Sequence, residues 1–331
     1  MLAIKGMSAA VAARGCRPAR ARRMAVRAAA KPSGDAGRAS HVAHIKPGET
    51  SEQAEERREQ ESMRVQERVK YITCREDYDR EIAAAGSKLV LLEVTSDNVC
   101  QTGLKEEVES NWRRKQSDIM QPCVNLKHSF QRVARECDDA VFLEIIGDMG
   151  PETKALCKDL GVDTIPSLLF IREGRELWRH AGHLNAAEDL GEGMLFYNDT
   201  LAGNEKATSF VKDLHSGADL QAFLASRPKG EVTCVNVTVS TSAPCIHVYP
   251  AVVSLAKHFQ GYCGFARLDI DLAADGSEIL NKYNILDVPL FMFFRDGVQI
   301  HRFSGGSRSD LLGQVLKIAP VPPPPGAVQA R

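Results

Sequence analysis

The sequence predicts a two-domain α/β protein in which each domain has a mixed central sheet flanked by helices. A set of marker residues recurs 123 positions later in the 331-residue chain: Asp148, Pro166, Phe170, Gly174 and Gly182 return as Asp271, Pro289, Phe293, Gly297 and Gly305. This spacing is about the size of one small domain and too long for a solenoid repeat. Strand and helix patterns alternate in both stretches and end in a hairpin, which predicts a mixed sheet.

Composition divides the chain into six segments. We predict a transit peptide at 1–30, a disordered or charged linker at 31–68, a first domain at 69–190 with an insertion at about 101–121, an interdomain linker at 191–208, a second domain at 209–318 and a disordered Pro-rich tail at 319–331. Residues 52–70 are dense in Glu, Arg and Gln, so they form either a helix with a solvated face or part of the linker.

The N-terminal segment is basic and rich in Ala. Residues 1–30 carry seven Lys or Arg and no acid, and they lack a long apolar stretch. This pattern is typical of an organelle transit peptide, with the chloroplast first and the mitochondrion second, and a disordered basic tail is the alternative. The rest of the chain carries −8 against −1 for the whole, which argues against a nucleic-acid partner. No apolar run is long enough for a membrane span, so we expect no membrane partner either.

The elements of the first domain follow from local patterns. Thr73-x-x-Glu76 indicates a capping box and a helix to about Ala85, and the apolar run 89–94 indicates a buried strand. Next we predict a helix from Cys123 to about Glu136, a strand at 141–146, a helix at 153–160, and strands at 167–172 and 177–180 around the turn 173–174.

The second domain repeats this order. We predict a strand at 210–212, a helix capped at Ser216, a strand at 232–239, a helix from Cys245 to His258, a strand at 265–270, a helix at 277–283, a hairpin of strands 290–294 and 298–303 around Asp296-Gly297, and a last helix at 310–318. Proline suits the first residue of a strand, which fits the positions of Pro166 and Pro289.

One stretch of the second domain resembles the active site of the thioredoxin family. The turn Ser242-Ala243-Pro244-Cys245 and the helix proline Pro250 resemble W-C-G-P-C-K followed by its helix, and Val288-Pro289 falls at the family's cis-proline. The tandem arrangement, the transit peptide and the phrase at 194–199 resemble the chloroplast double-thioredoxin stress proteins of plants and algae. The resemblance implies two thioredoxin-like domains, and it implies that Pro244, Val288, Pro289 and Pro166 contact substrate.

The second domain departs from the family at the first active-site position. Ser242 stands where the attacking cysteine would be, and serine cannot form a disulfide, so this turn has no ordinary C-x-x-C cycle. Asn236 falls where the family has a buried acid. Cys245 remains, and it either forms a mixed disulfide with a client or glutathione, or packs as a core cysteine.

The first domain carries its own candidate pair. Cys123 aligns with Cys245 at an offset of 122, Cys100 follows the strand 89–94 by a few residues, and Glu93 lies near the position of the family's buried acid. We therefore hypothesise that the insertion divides a C-x-x-C motif and that Cys100 and Cys123 form a redox pair. A disulfide needs Cα atoms within about 7 Å, which an insertion with close ends permits. Two unrelated cysteines are the alternative.

The remaining thiols and histidines show no ligand spacing. We expect Cys157 and Cys234 in the core, and Cys74, Cys137 and Cys263 at the surface. No C-x-x-C pair or Cys/His arrangement fits a structural zinc site, so we assign no metal and expect no cofactor.

The sequence and the resemblance together predict thiol–disulfide redox homeostasis and an oxidative-stress response in the chloroplast stroma. Cys245 would engage client disulfides, and Ser242 would at best donate a hydrogen bond. By resemblance, the clients would be peroxiredoxins or methionine sulfoxide reductases. The alternative is a non-catalytic adaptor that binds client proteins. Glutathione-dependent exchange ranks last, because the sequence shows no Arg/Lys cradle for glutathione.

Overall fold

Two halves of the same architecture follow one another in the computed structural model, which describes residues 49–97, 116–199 and 205–319. The first half contains α1 (Ser51–Arg68), β1 (Val69–Tyr71), α2 (Arg75–Ala85), β2 (Leu89–Thr95), α3 (Gln116–Glu136), β3 (Ala140–Ile146), α4 (Pro151–Asp159), β4 (Ser167–Arg172), β5 (Arg175–Ala181) and α5 (Ala186–Asn198). The second contains β6 (Val211–Leu214), α6 (Gly217–Ala225), β7 (Val232–Thr238), α7 (Ala243–His258), β8 (Cys263–Asp269), α8 (Gly276–Tyr283), β9 (Leu290–Arg295), β10 (Val298–Ser304) and α9 (Arg308–Ile318).

The two sheets have the same strand order. The first runs β1-β3-β2-β4-β5 and the second β6-β8-β7-β9-β10, with three parallel strands followed by an antiparallel hairpin. The predicted fold, two mixed sheets each flanked by helices, is confirmed. The two central strands β2 and β7 are buried along their whole length, because helices cover both faces of each sheet.

The registers of the two sheets identify equivalent residues. Glu93 on β2 lies opposite Leu168, two residues after Pro166, and Asn236 on β7 lies opposite Phe291, two residues after Pro289. Glu93 and Asn236 therefore occupy the same position in the two halves. They are 143 residues apart, and the prolines are 123 apart, so the first half holds 20 extra residues between β2 and the proline.

The hydrophobic core is continuous between the halves. Each sheet has one apolar cluster of its own, whereas a larger cluster joins β4, β5 and α5 of the first half to α7 and β9 of the second. Within it the ring of Phe196 meets the ring of Tyr249 edge-on at 5.4 Å. The helix α5 thus lies between the sheet of its own half and α7 of the next.

Three boundaries differ from the sequence prediction. Residues 51–68 of the predicted linker 31–68 form α1, whose Ala54 is buried, and residues 191–198 of the predicted linker 191–208 belong to α5. The apolar run Met194–Tyr197 is buried from two sides, which stabilises a helix where a linker was predicted. In addition, α3 begins at Gln116, seven residues before Cys123, so Cys123 lies inside a helix rather than ahead of it.

Several predictions fall on residues outside those that the structure describes. These are the transit peptide 1–30, residues 101–115 of the predicted insertion, Cys100, and residues 320–331 of the predicted tail. Among the helices of the described ranges, none combines the length and apolar character that a bilayer crossing requires.

Candidate functional site

The turn before α7 brings the second-half candidate residues to a helix N-terminus. Ser242 is the N-cap, its backbone carbonyl accepts from the N–H of Cys245 at 3.0 Å and of Ile246 at 3.1 Å, and Pro244 occupies the first turn. Proline is favoured there because its missing N–H would have no partner in the helix. Cys245, in the same turn, has no solvent-exposed surface.

The thiol of Cys245 is not activated. Burial raises its pKa, and the carboxylates of Asp269 and Asp271 raise it further. Hydrogen bonds from the Ser242 hydroxyl and the Val239 backbone act in the opposite direction but do not overcome burial. Since the thiolate is the nucleophile, a buried thiol with a raised pKa is a poor attacking group.

The proline loop meets this turn through the segment that follows β10. The Val288–Pro289 bond is cis, and the carbonyl of Pro289 accepts from Gly305 N–H at 3.0 Å. A Cβ added at Gly306 would lie 3.3 Å from the Cβ of Pro244, so the chain after Gly305 passes directly against the turn. Val288 packs against the apolar cluster that contains Cys245. The turn and the proline loop therefore lie on one side of the second half.

The first half has the same proline loop. The Ile165–Pro166 bond is cis, and the carbonyl of Pro166 accepts from Gly182 N–H at 2.9 Å. Pro166 and Pro289 are both buried. The repeat thus preserves this loop in both halves, although the cysteine positions beside it have diverged.

The last helix of the first half covers the turn of the second. The hydroxyl of Tyr197 donates to the carbonyl of Ser240 at 2.6 Å, just ahead of the turn. Glu192 contacts His247 Nδ1 at 2.7 Å and accepts from Arg308. These contacts and the shared apolar cluster hold α5 against α7.

A network of histidines and acids extends along this interface. Asp189 lies 2.5 Å from His180 Nδ1 and 3.6 Å from His247 Nδ1, which in turn contacts Glu192. Asp189, Glu192 and His247 each have one side-chain oxygen or nitrogen atom that could bind a metal. These three atoms lie within 4.8 Å of one another. Arg308 pairs with Glu192 and so supplies the positive charge that these acids need. This network was not predicted from the sequence, because His247 and Arg308 are distant in the chain from Asp189 and Glu192.

Cys123 of the first half is disulfide-bonded and buried. The other six cysteines that the structure describes carry thiols that form no disulfide. The partner sulfur is therefore not among the described residues, and Cys100 lies outside them. The pairing of Cys100 with Cys123 stays a prediction.

A buried acid lies beneath the helix that carries Cys123. Glu93 is fully buried, and neither of its carboxylate oxygens has a hydrogen-bond partner within the described residues. Burial raises the pKa of Glu93 well above its ordinary value, Glu144 raises it further, and Lys127 opposes this shift. Lys127 is one helical turn after Cys123, so the two residues share a face of α3.

Lys127 and Glu144 complete this cluster. The ammonium of Lys127 donates to Glu144 Oε1 at 2.5 Å and lies 5.9 Å from the ring centre of Tyr71. The sequence analysis missed both residues, although an acid in the middle of the apolar strand 141–146 was a usable signal. The first half therefore holds two buried acids and the ammonium of Lys127 in one cluster.

The second half has different chemistry at the same positions. The amide of Asn236 is buried and without a partner in the described part of the chain. Arg267 lies opposite Asn236 just as Glu144 lies opposite Glu93. Its guanidinium donates to Asp213 at 3.0 Å and to the carbonyl of Phe196 at 2.8 Å. At this position the first half has the acid Glu144, whereas the second half has the cation Arg267, which binds a carbonyl of the first half.

The remaining cysteines are all buried. This confirms the prediction for Cys157 and Cys234 and shows that the expectation of surface exposure for Cys74, Cys137 and Cys263 was wrong. Turn residues around them suggested exposure, but each side chain points into an apolar cluster or a helix start. Burial also raises the pKa of Cys157, Cys234 and Cys263.

Parts of this chain are similar to known proteins. Residues 216–317 match the family model described as "Thioredoxin". The "Thioredoxin-like protein CDSP32, chloroplastic" of Arabidopsis thaliana is 26% identical over 256 residues, which cover 77% of this chain and 75% of that protein. A "Thioredoxin H-type" of Oryza sativa subsp. indica is 29% identical over 28% of this chain and 72% of its own length. The structure of Fasciola hepatica thioredoxin matches 33% of this chain and 99% of its own, at 29% identity and a TM-score of 0.30.

Proposed function

We propose that this thioredoxin-like redox protein exchanges disulfides with client proteins in the chloroplast, using Cys100 and Cys123 of its first domain. The observation that carries this proposal is the disulfide of Cys123. Cys123 occupies the position equivalent to Cys245, where the resemblance places the second cysteine of the family's pair. An acid with a raised pKa, Glu93, supports the same assignment.

The reaction balances with two thiols of this domain. The thiolate of Cys100 attacks one sulfur of a client disulfide, so that a mixed disulfide forms and one client thiolate leaves. The thiolate of Cys123 then attacks the sulfur of Cys100, which releases the second client thiol and forms the Cys100–Cys123 disulfide. An external dithiol reduces this disulfide. Glu93 would accept the proton of the Cys123 thiol, since an acid with a raised pKa binds protons near neutral pH.

The second domain supports a binding role better than a catalytic one. Ser242 cannot form a disulfide, Asn236 cannot accept a proton as a carboxylate does, and Cys245 is buried with a raised pKa. We therefore place the single-cysteine reaction of Cys245 second. An adaptor role, in which the domain contributes only surface to client binding, is the competing function for the whole chain.

The chloroplast location rests on two supports. The basic, acid-free residues 1–30 have the composition of a transit peptide, and the Arabidopsis relative is named chloroplastic. By resemblance, the clients would be peroxiredoxins or methionine sulfoxide reductases, and the setting would be oxidative stress. Import of a fusion of residues 1–48 to a fluorescent protein would test the location.

Reduction of insulin by dithiothreitol tests the redox assignment. We expect the full chain to accelerate the reaction, Cys123→Ser and Cys100→Ser to abolish the acceleration, and Cys245→Ser to retain it within about twofold. The reverse pattern would favour Cys245, and an inactive parent chain would favour the adaptor. Peptide mapping of the oxidised chain should give a linked Cys100–Cys123 peptide, and its absence would contradict the pairing.

A further inference from the structure

A cavity of about 350 Å³ lies in the cleft between the two domains. The β4–β5 turn of the first domain forms one wall, and the carboxyl ends of β7 and β8 of the second form the other. Its lining includes Arg172, Arg175, Arg267, Tyr197, Ser240 and Asp269. The volume is in the range of small-molecule sites, and ligands of α/β sheets commonly bind beyond the carboxyl ends of strands.

One of the three arginines already has its partners. Arg267 donates to Asp213 and to the carbonyl of Phe196, and its Nε lies 3.5 Å from Asp269. Its guanidinium lies over the ring of Tyr249 at 4.7 Å. Arg267 therefore fixes one wall of the cavity and its charge is largely balanced within the protein.

The two arginines of the turn are not balanced in this way. Arg172 donates through Nη2 to the carbonyl of Tyr197 at 2.6 Å, but its buried Nε has no partner within the described residues. Arg175 makes no ion pair in the described part of the chain and is exposed. The two residues lie directly opposite each other across the hairpin. Like charges directly opposite each other destabilise a strand pair.

We propose that this interdomain cavity binds a small organic anion through carboxylate or phosphate groups held by Arg172 and Arg175. Guanidinium groups bind both kinds of group in a forked geometry, and Arg172 and Arg175 both line the cavity. Glu173 also lines the cavity, and its negative charge is exposed at the tip of the turn. The cavity is bounded by both domains, because Arg172 and Arg175 belong to the first domain and Ser240 and Arg267 to the second.

Isothermal titration of the full chain tests this site, with citrate and inorganic phosphate as probes at constant ionic strength. We expect saturable binding of at least one probe, and the tighter one identifies the group that the site prefers. Arg175→Gln should weaken that binding by about tenfold or more, which corresponds to the loss of one strong contact. Glu173→Gln should tighten it, because it removes the opposing charge.

The control is Lys229→Gln, which removes one exposed positive charge elsewhere in the second domain. It should leave the binding unchanged. Arg175 is exposed, so its replacement keeps the fold even if Arg172→Gln proves unstable. The absence of saturable binding by either probe, or equal loss in Arg175→Gln and Lys229→Gln, would overturn the proposal. Binding that is unchanged in Cys123→Ser would show that the site is independent of the redox pair.

Discussion

The buried carboxyl of Glu93 makes a quantitative prediction about stability. Both of its oxygens are buried without a hydrogen-bond partner within the described residues. Leaving one buried polar group unpaired costs about 1–3 kcal/mol. Replacing Glu93 with Met, which has a similar volume and no group to satisfy, should therefore raise the free energy of unfolding by about 1–3 kcal/mol near neutral pH.

The gain in stability from Glu93→Met should increase with pH. The pKa of Glu93 is raised in the folded state by burial and then by Glu144, whereas in the unfolded chain it is about 4.3. Between these two values the folded state binds more protons than the unfolded state, so the stability of the parent chain falls as pH rises. Glu93→Met lacks this group, and its advantage should therefore be larger at pH 8 than at pH 5.

Urea unfolding at the two pH values measures this difference. The matched control is Asn236→Leu, because Asn236 has the equivalent position in the second domain and an equally unpaired amide. An amide does not titrate, so the gain of Asn236→Leu should be the same at pH 5 and pH 8. A loss of stability in Glu93→Met, or a gain that does not change with pH, would refute the reasoning.

Two further predictions concern Lys127 on α3 and Gly193 on α5. Lys127→Met leaves the buried carboxylate of Glu144 without its 2.5 Å partner, which should lower the free energy of unfolding in urea by about 3 kcal/mol. The added change Glu144→Met should restore most of this stability. A double variant as unstable as Lys127→Met would contradict the pairing. Gly193→Ala places a Cβ 2.4 Å from the ring of Phe170 and should lower the thermal midpoint through a cost of about 1–3 kcal/mol. Gly191 lies in the same helix, and a Cβ added there would have no neighbour within 4 Å. Gly191→Ala should therefore raise the thermal midpoint, because alanine favours a helix more than glycine does.

The fold could be predicted because its signals are local. The repeat at 123 residues aligns the two hairpins, and the turns at Gly174 and Gly297 mark the same place in each half. By contrast, the residues of α1 are nearly all polar, so only its contact with α3 distinguishes it from a linker. The end of α5 was missed because an apolar run such as Met194–Tyr197 has no amphipathic period to indicate a helix buried on both sides.

The candidate site was predictable only where the chain keeps the family's spacing. The resemblance placed Cys245 and Pro289 near each other, and the structure brings the turn and the proline loop to one side of the domain. The sequence aligns Cys123 with Cys245, but it did not predict the place of Cys123 inside a helix, because the helix begins within the predicted insertion. Lys127 and Glu144 form a pair between a helix and a strand, which local patterns do not reveal.

The two halves share one arrangement of strands and helices but differ in the residues at its equivalent positions. The first keeps a disulfide-bonded cysteine above a buried acid, and its proline loop is intact. The second keeps the proline loop and one cysteine, but Arg267 replaces the acidic cluster and binds the carbonyl of Phe196 in the neighbouring domain. The residue that stands opposite Asn236, in the place of Glu144, therefore also contributes to the contact between the two halves.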